Sequence, residues 1–167
     1  MKIELKNVKF SEHMSEETNA FTADVFVDGK KVGYCKNDGC GGSTNVQSFP
    51  ETREQFKKAE DYCKTLPDIE FNGSGFKSFT MKSDLEMVVD ELFETWLKDK
   101  ETKKLEKKME NHVMWGKPKG SSYVQVKFLK PLKQIDKGIL QSMLNKYKKE
   151  FKEGEQFLNT NLDGFDL

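Results

Sequence analysis

The chain has 167 residues and a mass of 19.3 kDa, about the length of one ordinary domain. Only 35% of it is apolar and 34% is charged, so the core is lean and the surface heavily charged. Thirteen Phe offset part of the shortage and argue against intrinsic disorder, because each buried ring removes a large area from water. No run approaches the ~18 apolar residues of a membrane span, and Met1-Lys2-Ile3-Glu4-Leu5 lacks the apolar stretch of a secretory signal. Three Cys without disulfide spacing fit a reducing cytosol.

The first 36 residues read as β. Ile3, Leu5, Val8 and Phe10 alternate with a phase slip that predicts a bulge. Phe21, Ala23, Val25 and Val27 line one face at period two. Asp28-Gly29 supplies a tight hairpin turn, and Val32 and Tyr34 continue on the inner face of a third strand. Residues 37–49 hold three glycines and small polar residues and form a loop. Thr52 and Gln55 have capping-box spacing, so a helix is expected from about Thr52 to Lys64, ending before Pro67. Around Asn72-Gly73, the residues Ile69, Phe71, Phe76 and Phe79 are compatible with a short hairpin.

Ser83 and Glu86 form a second capping box, and a long helix is expected from there to about His112. Its first half carries a broad apolar stripe, from Leu85 to Leu97. Its second half keeps only Leu105, Met109 and Val113, as if projecting from the body. A fourth strand follows at residues 121–130, then a helix from Asp136 with Ile139, Leu140, Met143, Leu144, Tyr147 and Phe151. The expected fold is α+β: an antiparallel N-terminal meander with a fourth strand, packed by two to three helices, one of them long. A single domain over residues 1–153 and an acidic, loose tail over 154–167 complete the expectation.

The zero net charge conceals an asymmetry. Residues 98–152 carry sixteen Lys against six acids, whereas residues 51–97 carry six basic residues against eleven acidic ones. Such a division marks a partner-facing surface, or two parts that dock on each other. Lys104, Lys107 and Lys108 on the long helix, with Lys117 and Lys119 near Trp115 and Tyr123, form the candidate contact face. Lysines interleaved with aromatics attract phosphate backbones and stack bases. The lone Arg, Arg53, lies outside this region, which disfavours base-specific readout.

Other chemistry is thin. Asn37, Asp38, Gly39, Gly41, Gly42 and Ser43 make a Gly-rich loop whose backbone N–H groups can converge on an anion. It lacks the Walker spacing and the Lys that would reach a phosphate. Cys35, Cys40 and Cys63 with His13 and His112 show no paired zinc spacing. Glu86, Asp90 and Glu94 share a helix face at four-residue steps, an arrangement more usual for solvated charge than for a cation site. With two His and no nucleophile elbow, no catalytic residue, cofactor or metal is assigned, and the balance leans away from an enzyme.

Ser15-Glu16-Glu17-Thr18, Phe21-Thr22-Ala23, Asp28-Gly29-Lys30-Lys31-Val32-Gly33 and Asn37-Asp38-Gly39 with Gly41-Gly42 resemble small uncharacterised proteins of bacteriophages and mobile elements. The likeness covers roughly residues 1–46 and carries no catalytic residue. It implies an accessory protein in the host cytosol that binds a host or defence protein, with inhibition of an anti-phage system as its effect. Sequence-nonspecific nucleic-acid binding, and a site for a phosphorylated small molecule at the Gly-rich loop, are the alternatives. Oligomeric state is left open.

Overall fold

The computed structural model describes residues 1–71, 79–120 and 122–167. They divide into two compact units, Met1–Leu97 and Lys98–Leu167. The class is α+β, with one long helix, and no helix among the described residues is long and apolar enough to cross a membrane.

In the first unit, β1 (Ile3–Ser11), β2 (Ala20–Val27), β3 (Lys30–Asn37) and β4 (Asn45–Ser48) form an antiparallel sheet in chain order. Asp28 and Gly29 both take positive φ, 49° and 83°, as a two-residue turn matched to strand twist requires. The bulge in β1 falls between Lys6 and Lys9, with Asn7 at φ 52°. A second register shift, between Val25 and Phe26, puts Val32 and Gly33 consecutively inside. It therefore turns Tyr34 outward and Cys35 inward, reversing the face expected for Tyr34. Gly33 is required there: a Cβ would lie 2.0 Å from the Gln47 carbonyl oxygen on β4.

Two helices pack into this sheet's core: α1 (Arg53–Cys63) through Phe56, Ala59 and Cys63, and α2 (Leu85–Met109) through Leu85, Val89 and Phe93. Phe93 stacks on Phe21 with centroids 3.8 Å apart, and Phe10 and Trp96 lie within 6 Å of it. Neither capping box forms as expected. The Thr52 hydroxyl instead donates to the Val32 carbonyl at 2.6 Å, tying α1 to β3. For α2, Asp84 rather than Ser83 accepts the Met87 N–H, at 2.8 Å. A small hairpin pairs β5 (Ile69–Phe71) with β6 (Phe79–Met81). Asn72-Gly73 and Phe76 lie outside the described residues.

The second unit corrects the sequence reading most. The helix expected to run to about His112 stops at Met109 as α2, and His112–Gly116 is strand β7. It is central in a three-stranded sheet, between β8 (Tyr123–Lys127) and β9 (Gln156–Phe157). Trp115 on β7 is buried and stacks on Tyr147 and Phe151. Leu140 and Leu144 of α3 (Lys137–Lys148) pack into the same core, and Asp136 caps α3 by accepting the Ile139 N–H. Residues 154–167 are not a loose tail. They supply β9 and the buried Leu162, and Asn159 accepts from the Met114 N–H at 2.6 Å and donates to the His112 carbonyl at 2.8 Å.

Phe93→Ala should cost about 3–5 kcal/mol in chemical denaturation, since it empties the centre of the ring cluster. Leu105→Ala, at a position 36% exposed on the same helix, should stay within about 0.5 kcal/mol of the parent.

Candidate functional site

The Gly-rich loop is organised by one side chain. Asn37 Oδ1 accepts from the Gly39 N–H and the Thr18 hydroxyl, each at 2.9 Å. Its Nδ2 donates to the Gly42 carbonyl at 3.0 Å and to Thr44 Oγ1 at 3.1 Å. The buried Thr44 hydroxyl passes the connection on by donating to the Asp90 carboxylate on α2. Gly39, at φ 86°, sits where a Cβ would meet the Met14 carbonyl oxygen at 2.1 Å. Its own carbonyl accepts the N–H groups of Glu16, Glu17 and Thr18 at 2.9–3.2 Å. The Gly41 N–H donates to Thr18 Oγ1 at 3.3 Å.

These bonds bear directly on anion binding. A phosphate cradle needs free converging N–H groups, and those of Gly39 and Gly41 are already committed. A cleft of about 320 Å³ beside the loop is walled by Glu17, Asp90 and Glu94 with Asn37, Phe21 and Phe93, and no Lys or Arg among the described residues borders it. Burial pushes the Asp90 carboxyl above its ordinary range, the Thr44 hydroxyl draws it partly back, and Asp84 and Glu94 push it up further. Burial, with Asp84 and Asp90, raises Glu86 as well. The field of this cleft opposes a phosphate. Asp38 and Ser43 remain exposed at the loop's tip, where Asp38 pairs with Lys36 at 2.6 Å.

The cysteines are poor nucleophiles or ligands where they are buried. Desolvation pushes the Cys35 thiol up to about 11 and raises Cys63 too, while Cys40 is exposed. Among the described residues no group of three His, Cys, Asp or Glu is placed to hold a metal.

The basic candidates all lie in the second unit. Lys104, Lys107 and Lys108 share one face of α2 by their three- and four-residue spacing, with Lys104 and Lys107 exposed and Lys108 half-buried. Lys108 Nζ stands 3.2 Å from the Tyr123 hydroxyl and 5.3 Å from the centre of its ring. Lys117 and Lys119 occupy the exposed connection from β7 to β8. Trp115, expected beside them on the surface, belongs instead to the core, because its neighbours Val113 and Met114 are buried with it in the central strand. Tyr123, 42% exposed, is the accessible aromatic of the group.

The division between units is also a division of charge. Residues 1–97 hold twelve basic and eighteen acidic residues, net −6, and residues 98–167 hold sixteen Lys and ten acids, net +6. The first unit carries the ion pairs Lys2–Glu4, Lys31–Asp24, Lys36–Asp38 and Lys64–Asp61. Lys104, Lys107, Lys117 and Lys119 have no acidic partner among the described residues. A hollow of about 510 Å³ in the second unit, walled by Leu132, Lys133, Lys137, Leu140 and Phe165, had no local sequence signal, since the C-terminal segment makes one of its walls. Comparison of the chain with protein-family models, curated proteins and solved structures finds no match.

Gly39→Ala should destabilise by ~1–3 kcal/mol, through its positive φ and the close carbonyl. Gly42→Ala should be neutral in the same melts, because open space surrounds that position. Asp90 adds a pH signature. Its folded pKa is raised, so the folded state tolerates the protonated form and is penalised as pH climbs from the ordinary Asp range through the raised value. Asp90→Asn keeps an acceptor for Thr44 and should be more stable than the parent at neutral pH. In melts followed against pH, the two proteins should converge as pH falls to the ordinary Asp range.

Proposed function

We propose that this chain is a non-enzymatic binding protein whose lysine-rich second unit docks on an acidic surface of another protein. The observation that carries the reading is the net +6 of residues 98–167, with Lys104, Lys107, Lys117 and Lys119 exposed and without an acidic partner among the described residues. Like-signed exposed charge draws an oppositely charged partner in and orients it, while apolar contact supplies most of the affinity. The resemblance read in residues 1–46 to phage and mobile-element proteins implies a host protein as the proposed partner and inhibition of an anti-phage defence system as the proposed consequence.

Nucleic acid is attracted by the same lysines, but no Arg lies in the second unit to make bidentate contacts with phosphate or guanine. A phosphorylated small molecule at the Gly-rich loop is supported least, given the committed N–H groups and the carboxylate wall.

A tagged pull-down from a lysate of the host bacterium, with and without nuclease, tests the reading. The expected result is one stoichiometric protein that survives nuclease and is lost with the triple charge reversal Lys104→Glu, Lys107→Glu, Lys108→Glu. Binding by the triple variant equal to the parent's, at low and high salt, would overturn the basic-face reading. Recovery of nuclease-sensitive material alone would move it to nucleic acid, with affinity falling steeply as salt rises.

A further inference from the structure

β8 is an outer strand, and its geometry fixes which backbone groups it offers. The Phe128 N–H donates to the Asn111 carbonyl at 2.8 Å, and β7 and β8 then pair without a register break from Val113–Val126 to Gly116–Tyr123. Inward-bonded and outward-facing residues alternate in an antiparallel ladder. Phe128, Val126 and Val124 therefore bond to β7, and Tyr123, Gln125 and Lys127 turn their N–H and C=O groups to the open side. The far edge of β7 agrees with this phase: Met114 faces away from β8, accepting the Leu158 N–H and donating to Asn159. None of the outward groups of Tyr123, Gln125 or Lys127 has a partner among the described residues.

Proteins usually blunt such an edge. β1 does so with its bulge at Lys6–Lys9 and Asn7 at positive φ, and β4 and β9 by being very short. β8 has no bulge and no proline. Its apolar face extends past the core: Val126 packs inward, whereas Val124 on the same face is 47% exposed. Lys127 within the strand, Lys108 under Tyr123, and Lys117 and Lys119 at its start surround this edge with positive charge.

We infer that β8 accepts an added strand: an extended, acidic segment of a partner protein pairs with the outward groups of Tyr123, Gln125 and Lys127. Its apolar residues cover Val124 and its carboxylates meet the surrounding lysines. Main-chain bonds of this kind supply affinity, and the alternating side chains supply selection. The inference rests on the proposed basic docking face and specifies the form of its partner.

The test uses the full chain and a fluorescein-labelled peptide of about ten residues alternating Glu and Val, a length that spans one strand. Saturable binding is expected by fluorescence anisotropy, with slowed hydrogen exchange at the amides of Tyr123, Gln125 and Lys127. Gln125→Pro removes an outward N–H and no ladder bond, so it should keep the parent's thermal melt and weaken the peptide by about tenfold or more. Lys127→Pro repeats the experiment should the first variant melt early.

No binding by the parent, or unchanged affinity in a folded proline variant, overturns strand addition. So does equal competition by single-stranded DNA that ignores the proline. The triple charge reversal separates the two readings. Loss of binding there, with none in the proline variant, keeps the basic face and rejects the strand; the converse keeps the strand and rejects the lysines.

Discussion

The second unit depends on one fully committed strand. β7 is buried on both faces, with Val113 and Met114 inaccessible and Trp115 nearly so, and both its edges are bonded, to β8 on one side and to β9 and Asn159 on the other. A unit this small has a high ratio of surface to volume and buries a modest share of its chain. Concentrating burial in the central strand, with Trp115, Tyr147 and Phe151 stacked over it, is how a lysine-rich sequence still makes a core. The consequence falls on its neighbour. β8 lies outermost with only Val126 drawn inward, so its remaining side chains and its outer backbone edge face solvent.

Charge follows the same division. The first unit satisfies part of its charge internally through ion pairs such as Lys31–Asp24 and Lys36–Asp38, and its carboxylates Asp90 and Glu94 border a cleft that no Lys or Arg among the described residues lines. The second unit carries its surplus as lysine alone. A strongly hydrated ammonium on a flexible stem loses little by staying in water and acts at range through its field, whereas guanidinium acts by fixed, planar contact. A surface built this way favours fast, oriented encounter. In the proposed reading, specificity comes from shape and from backbone pairing.

What the sequence made legible was whatever had short-range causes. The alternation of Phe21, Ala23, Val25 and Val27, the Asp28-Gly29 turn, the bulge in β1 and the start of the last helix at Asp136 all rest on neighbours a few residues away, and each is present. β7 carried no such mark. Val113-Met114-Trp115 is a continuous apolar run, buried on both faces, without alternation to set it apart from the end of the helix before it. β4 reads as small and polar because it is a sheet edge, and β9 exists only because β7 offers it a partner. Trp115 went to the surface in the sequence reading for the same reason: lysines flank it in sequence, yet the pleat turns it inward. In the Gly-rich loop the residues were the right ones to notice, but their role was set by Met14, Thr18 and Asp90, all distant in sequence from Gly39 and Thr44.

That last point decides what the loop is for within the fold. Asn37 uses both polar ends of its amide to hold the loop's two arms, and Thr44 anchors the return arm to α2. Glycine at 39 allows the turn at Met14–Thr18 to close against it, so the three N–H groups of that turn share one carbonyl. Such a network removes backbone donors from any external anion and fixes the conformation in which Asp38, Gly42 and Ser43 are displayed. A loop already ordered loses little entropy on contact, but its exposed groups are few and its neighbouring cleft is negative. The loop is therefore a brace between sheet and helix. The outward backbone groups of β8 and the exposed lysines that lack partners among the described residues lie in the second unit, which is why the proposed docking face is placed there.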